Sequence, residues 1–173
     1  MPEYPEVIRY HARLFDVKEV TVKLPDGKDK VFELVDIQNA ITLLPIDDAG
    51  NVYFVEQFRI ASRRELLELP AGKIEKDELP LAAAERELRE ETGMAARDTK
   101  AIGEFYMSPG YANEYMYCFL ATGLYPAPLS PDDDEFINVQ KVPLAEVKQL
   151  IKDGKIIDSK TLAAFTLASP NLR

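Results

Sequence analysis

The segment RELREETGM, residues Arg86–Met94, crowds acidic side chains onto the end of what its composition predicts to be a helix. With Glu85 just before it, this segment contributes Glu87, Glu90 and Glu91, so four carboxylates lie within seven residues. Positions three and four apart share a helix face, so the last three side chains point in the same general direction. Like charges at that spacing cost about 0.2–0.5 kcal/mol per solvated pair, and this repulsion requires a compensating charge.

Two interpretations of the acidic helix remain open at this point. Arg86 and Arg89 can pair with neighbouring glutamates on a solvated face, and the helix composition alone favours this interpretation. Alternatively, the carboxylates hold a hard cation, Mg²⁺ or Mn²⁺, which prefers oxygen ligands and is typically bound by one or two carboxylates plus substrate phosphates.

The composition excludes several classes of protein. The chain has 173 residues, 46% of them hydrophobic, which is enough for one ordinary domain with a sizeable core. The formal net charge of -9 argues against nucleic-acid partners and anionic membrane surfaces. Neither a signal peptide nor a membrane span is visible, so we expect a cytoplasmic protein. With a single histidine, His11, multi-histidine metal sites and Ser/His/Asp triads are hard to build, so any catalysis must use carboxylates. The single cysteine, Cys118, lies in an apolar run and is expected to be buried.

The order of elements predicts an α/β or α+β sandwich. Two hairpins come first, with turns at 25–27 and 47–50, followed by a short extended piece that ends at Gly72. A helix is predicted from Pro80 to about Thr92, with Gly93 as its stop. Further strands are predicted at about 99–107, 114–122 and 135–142. Two C-terminal helices broken at Gly154 follow, the second capped by Asp158 or Ser159.

A longer pattern changes the interpretation of the acidic helix. Gly72 is followed after five residues by Glu78 and after seven more by the segment RELREETGM. This resembles the Nudix box, Gly-x5-Glu-x7-Arg-Glu-U-x-Glu-Glu-x-Gly-U with U aliphatic, and every specified position is filled. The resemblance implies the Nudix α/β/α sandwich with a mixed sheet for residues 39–173. Residues 1–38 would form an N-terminal antiparallel hairpin extension.

The resemblance also implies roles for the residues of the box. Glu87 and Glu91 would be the main ligands of Mg²⁺, with Mn²⁺ as a substitute, and Glu90 would bind a further cation or hold a water. Gly72 would let the backbone turn sharply so that the carbonyl of Ala71 faces the metal. Arg86 would orient the glutamates through charge-assisted hydrogen bonds. Glu78 is expected to organise the loop locally rather than to bind the metal.

Features outside the box resemble the ADP-ribose pyrophosphatase branch of the family. Pro109 follows Met94 after fifteen positions, in the context SPGYANE, which places Pro109, Gly110 and Glu114 at the substrate. The preceding segment, VEQFR...ELLELPAG, also resembles that branch, in which an arginine in the place of Arg59 contacts a diphosphate. The resemblance implies that Glu68 lies near the substrate.

The general base is expected on the acidic loop PDDDEFINV, because a glutamate before a late strand has that role in this branch. Aligned on the strand INV, Glu135 and Asp133 fall on the two acidic positions. Glu135 is favoured and Asp133 is the alternative. Either carboxylate could take a proton from water as the water attacks phosphorus.

Two departures from the branch leave the substrate open. The chain has no Trp for base stacking, and Asp36 and Gln38 stand where many relatives have a phosphate-binding basic residue. We therefore predict hydrolysis of ADP-ribose or a related nucleoside diphosphate sugar, such as GDP-mannose, to a nucleoside monophosphate and a sugar phosphate. The alternatives are a non-catalytic nucleotide-sugar binding module and an enzyme for damaged nucleoside triphosphates. The resemblance further implies a homodimer that exchanges N-terminal strands.

Overall fold

The computed structural model describes residues 4–130 and 137–170. Its internal contacts divide the chain into two compact units. The first consists of Met1–Asn39 and Tyr106–Tyr115, and the second of Ala40–Phe105 and Met116–Arg173. The sequence predicts a boundary after residue 38 but not the inclusion of residues 106–115 in the first unit. The predicted division into an extension of residues 1–38 and a domain of residues 39–173 stays a prediction.

The first unit contains a three-stranded antiparallel sheet in the order β1-β2-β3, formed by Glu6–His11, Phe15–Lys23 and Asp29–Ile37. The predicted hairpin between β2 and β3 is confirmed, with Gly27 at a φ of 84° in its turn. The strand β1 was not predicted. All six of its residues are exposed, so it lacks the alternation of buried and exposed residues from which strands are predicted.

The segment 106–115 is fixed to β3 within this unit. The backbone N–H of Val35 donates to the carbonyl of Tyr111 at 2.7 Å, and the N–H of Asn113 donates to the carbonyl of Val35 at 3.2 Å. The Asn113 side chain also donates to Asp36 at 2.5 Å. Asp36 forms an ion pair with Lys18, whose hydrogen bond lowers the pKa of that carboxyl. Asp36 therefore has a structural role within this unit, as the partner of Lys18 and Asn113.

The remaining strands and the three described helices follow in chain order. The strands are β4 Ala40–Ile46, β5 Asn51–Arg59, β6 Arg64–Glu68, β7 Ala71–Lys73, β8 Met94–Ala95, β9 Asp98–Tyr106, β10 Tyr115–Thr122, β11 Tyr125–Pro126 and β12 Asn138–Pro143. The helices are α1 Pro80–Thr92, α2 Leu144–Lys152 and α3 Ser159–Ala168.

Seven of these strands form a mixed sheet with the main order β12-β5-β4-β10-β9. The pair β4 and β10 is parallel, whereas β12 and β6 pair with β5 in antiparallel orientation. The turn predicted at 47–50 is confirmed, but β4 and β5 pair only at Ile46 and Val52. Beyond that pair the two strands have different neighbours, because β7 pairs with β4 and β6 pairs with β5. The second predicted hairpin is therefore open along most of its length.

Apolar residues of β4 alternate between the two faces of this sheet. Ile41 and Leu43 pack in a core with Ala83, Ala84 and Leu88 of α1. On the other face, Leu44 shares a second core with residues of β5, α2 and α3, namely Val52, Phe54, Val147, Ala164 and Ala168. The second unit is thus a helix–sheet–helix sandwich, which confirms the predicted fold class.

The helix α1 has the predicted bounds, Pro80–Thr92. It ends at Gly93, whose φ of 71° is left-handed and whose N–H donates to the carbonyl of Arg89. Glycine tolerates this conformation, which explains the stop. The expectation for Cys118 is also confirmed, since the residue is fully buried and burial raises the pKa of its thiol to about 12. None of the described helices combines the length and apolar character needed to cross a bilayer.

Candidate active site

The helix α1 places its carboxylates against the strand β7. Glu87 and Glu91, one turn apart, are only 8% and 5% exposed, whereas Glu90 is half-buried. Acidic side chains are rarely buried to this degree unless they are paired or bind a cation. The solvated-face interpretation is therefore wrong for Glu87 and Glu91.

Arg86 holds this cluster together. Its guanidinium donates to both carboxylate oxygens of Glu78 at 2.9 and 3.0 Å, to Glu87 at 2.7 Å and to Glu90 at 2.8 Å. A further bond runs to the carbonyl of Lys73 at 3.0 Å. The hydrogen bond with Glu78 raises the pKa of Arg86 and lowers that of Glu78, so both stay charged. Glu78 also accepts from the Glu75 N–H, as expected of a local organiser.

Gly72 and Ala71 bring the backbone of β7 against the same carboxylates. A Cβ added at Gly72 would lie 1.9 Å from Oε1 of Glu87 and 2.0 Å from its Cδ. The N–H of Ala71 donates to Oε2 of Glu91 at 2.9 Å. The expectation that Gly72 makes a sharp turn is wrong: Gly72 lies within a strand, and its φ is not in the left-handed range. Glycine is needed here because the Glu87 carboxylate occupies the space of a Cβ.

The oxygen atoms around α1 are suitable ligands for a hard divalent cation. The acidic groups offer carboxylate oxygens, without a histidine or thiolate among them, and the space left by Gly72 holds a carboxylate in place against the backbone. Within residues 4–130 and 137–170, no three His, Cys, Asp or Glu side chains are already gathered as a metal site.

A second group of charges lies at the end of β5 and β6. Arg59 donates to Glu68 through Nε at 3.0 Å and through Nη2 at 2.8 Å. Glu68 is 1% exposed, and Lys160 of α3 contacts the same carboxylate. Burial alone would raise the pKa of Glu68, but hydrogen bonds and charges from Arg59 and Lys160 outweigh it, so the pKa is lowered. Glu68 therefore holds Arg59, and its predicted place near the substrate stays a prediction.

Arg59 interacts electrostatically with the acidic helix α1. The hydrogen bond from Arg59 to Glu68 is the main cause of its raised pKa, and the charge of Glu91 adds to the effect. The side chain of Arg59 is 40% exposed. Among the described residues no acceptor is found for its Nη1, so this edge of the guanidinium can receive an anionic oxygen.

The other predicted site residues fall in different parts of the chain. Pro109, Gly110 and Glu114 belong to the segment 106–115 of the first unit, where Pro109 and Gly110 are exposed and Glu114 is half-buried. Their role in substrate binding stays a prediction. The two candidate bases, Asp133 and Glu135, lie outside the described residues.

Lys160 is the site residue that the sequence prediction missed. It is the only charged residue of α3, SKTLAAFTLA, and follows the residue Asp158 that caps the helix. The cap itself was predicted, and Asp158 accepts from the Thr161 N–H at 3.0 Å. The available signal was a lone lysine at the start of a helix of small and apolar residues. In the structure Lys160 is only 7% exposed, and a lysine is rarely buried to this degree unless it is paired.

Comparison with known proteins identifies the family of this chain. The NUDIX domain model matches residues 36–165, so the chain belongs to the Nudix family, whose hydrolases generally use divalent metal ions. An ADP-ribose pyrophosphatase of Bacillus subtilis (strain 168) is 38% identical over 90% of this chain and 85% of its own length. A GDP-mannose pyrophosphatase of Yersinia pestis (strain Pestoides F) is 33% identical over 92% of this chain and 84% of its own.

The solved structures give the same result. A crystal structure of an ADP compounds hydrolase matches with a TM-score of 0.88 at 26% identity, covering 99% of this chain and 94% of the other. The predicted family and its resemblance to the ADP-ribose pyrophosphatase branch are thereby confirmed.

Proposed function

We propose that this protein hydrolyses the pyrophosphate bond of ADP-ribose or a related nucleoside diphosphate sugar with the help of Mg²⁺. The products would be a nucleoside monophosphate and a sugar phosphate. The observation that carries the proposal is the pairing of buried Glu87 and Glu91 with the backbone of β7, in the same electrostatic neighbourhood as Arg59. The names of the relatives agree with this substrate class.

Each group of charges has its own task in this proposal. Mg²⁺ bound by Glu87, Glu91, Glu90 and the carbonyl of Ala71 would neutralise charge on the diphosphate. Arg86 keeps Glu87 and Glu90 oriented through its two hydrogen bonds at 2.7 and 2.8 Å. These bonds offset the repulsion between the two carboxylates and fix their positions.

The diphosphate would be bound by Arg59, whose Nη1 edge is directed away from its bonds to Glu68. Pro109, Gly110 and Glu114 would contact the rest of the substrate. Glu135, or alternatively Asp133, would accept a proton from water as its oxygen attacks phosphorus and the bond to the bridging oxygen breaks. Location in the cytoplasm and a homodimer complete the proposal.

Incubation with Mg²⁺ and a panel of ADP-ribose, GDP-mannose and oxidised nucleoside triphosphates tests the activity, with products separated by chromatography. We expect a nucleoside monophosphate and a sugar phosphate from at least one diphosphate sugar. Glu91→Gln should remove metal-dependent turnover because it takes away a ligand charge at nearly constant shape. Glu85→Gln, an exposed change on the same helix, is the matched control and should behave as the wild type.

The outcomes separate the candidates. Pyrophosphate release from triphosphates with little turnover of diphosphate sugars would favour the triphosphate enzyme. Binding of the sugars without turnover would favour a binding module. Glu135→Gln and Asp133→Asn assayed side by side assign the base, and equal mild losses from both would mean that neither residue has that role.

A further inference from the structure

The buried Lys160 is a charged residue that the proposed reaction does not yet use. Its ammonium contacts the Glu68 carboxylate and lies 3.1 Å from Asp158. The side chains of Lys160 and Glu68 are 9% and 1% exposed, whereas that of Arg59, on the other side of Glu68, is 40% exposed. A continuous row of ion pairs thus runs from the cap of α3 to the exposed guanidinium.

The order of charges in this row determines how strongly Arg59 would attract an anionic ligand. With Arg59 alone, Glu68 would neutralise the guanidinium, and the pair would attract a diphosphate weakly. Lys160 compensates Glu68 from the buried side, so Arg59, Glu68 and Lys160 together carry one formal positive charge. Asp158, at the far end of the row, brings the formal sum of all four groups to zero. Asp158 is the N-cap of α3 and accepts from Thr161, so the helix N-terminus compensates part of its charge.

We infer that Lys160 is a positioning residue that compensates the charge of Glu68. Glu68 can then hold Arg59 through Nε and Nη2 without cancelling its charge, and Nη1 is available for a diphosphate oxygen. This inference rests on the proposed function, because it assigns the anion to the substrate of that site. Lys160 acts through Arg59 and does not touch the substrate.

Kinetics of Lys160→Met and Lys160→Gln test the inference, using ADP-ribose with Mg²⁺. Lys160→Gln keeps a hydrogen-bond donor for Glu68 and covers the case in which the methionine variant does not fold. Each variant should raise KM about tenfold with kcat nearly unchanged, since a ground-state contact with the substrate is weakened. Lys160→Arg, which keeps the charge, should restore most of the affinity. Lys155→Met removes one exposed lysine charge and is the matched control, expected to leave KM unchanged.

A double-mutant cycle separates positioning from mere support of the fold. In an Arg59→Met background, Lys160→Gln should change KM by less than about twofold, because its effect is transmitted by Arg59. An equal rise of KM with and without Arg59 would overturn the inference, and so would an unchanged KM in both Lys160 variants.

The ¹⁵N–¹H resonance of Arg59 Nε gives a readout that needs no turnover. Lys160→Gln should shift this resonance, and Lys155→Gln should not. If the wild type hydrolyses no diphosphate sugar, the proposed function fails while the resonance still decides whether Lys160 holds Arg59. If turnover is normal but the resonance and KM of the Lys160 variants match the wild type, the inference fails and the function stands.

Discussion

Gly72 shows how one missing side chain allows two elements to meet. Since a Cβ there would lie 1.9 Å from Oε1 of Glu87, the glycine of the box is explained by space for a carboxylate. The sequence pattern could identify the position but not this reason, because the pattern does not show which side chain packs against β7.

Gly72→Ala should therefore displace the Glu87 carboxylate. We expect a loss of about 1–3 kcal/mol in the free energy of unfolding from overpacking. A fall of about 100-fold in kcat should accompany it, because shifts near 1 Å at a reacting centre have effects of that size. Denaturant unfolding and steady-state kinetics measure the two. In a Glu87→Asp background, where the side chain is shorter, the loss of stability caused by Gly72→Ala should largely disappear. If Gly72→Ala alone has the stability and kcat of the wild type, this explanation of the glycine is wrong.

Glu68 should make the stability depend on pH in a defined direction. Its pKa is lowered in the folded state, so its contribution to stability is present above the unfolded pKa of about 4.3 and is lost as the pH falls through the folded value. Glu68→Gln should cost about 3 kcal/mol at pH 7, because Arg59 and Lys160 lose their buried partner. The stability difference from the wild type should shrink on acidification from about pH 5 to 3, as measured by urea unfolding. An equal stability difference at pH 5 and pH 3 would show that the ion pairs do not stabilise the fold. The control is Glu65→Gln, a change at an exposed residue of the same strand.

The elements were predictable to different degrees, for physical reasons. The bounds of α1 follow from local signals, Pro80 at its start and Gly93 at its end, and the structure agrees with both. The pairing of β4 was not predictable from local signals. Its neighbours along most of its length are β7 and β10, and the contact with β10 is between residues far apart in the chain.

The candidate site divides in the same way. The residues of the box follow one another at helix spacing, so Glu87, Glu90 and Glu91 could be predicted to converge. The pair of Glu68 and Lys160 joins residues 92 positions apart, and no periodicity links them. Such a contact depends on α3 docking against the end of β6, where Thr161 also accepts from the Leu69 N–H at 2.9 Å.

At the scale of the whole molecule, the first sheet leaves large apolar side chains in contact with solvent. On β1 and β3 these residues are between 40% and 62% exposed, namely Val7, Ile8, Tyr10, Val31 and Phe32. Among the described strands, β1 lies at the edge of this sheet with β2 as its neighbour, and exposed apolar side chains beside such an edge form a surface for pairing with another chain. This supports the proposed homodimer, in which the N-terminal strands of two copies would cover one another.

Light scattering after size-exclusion chromatography tests this proposal. The wild type should have twice the 19.5 kDa chain mass at micromolar concentration. Val7→Lys combined with Val31→Lys, two residues on one face of the sheet, should shift it towards the monomer, because two charges would have to be buried in the interface. Ile60→Lys places the same charge on a residue that is 79% exposed outside this sheet, and it should leave the mass unchanged. A wild-type monomer would overturn the proposed homodimer. A dimer that survives the double substitution would place the interface outside this sheet.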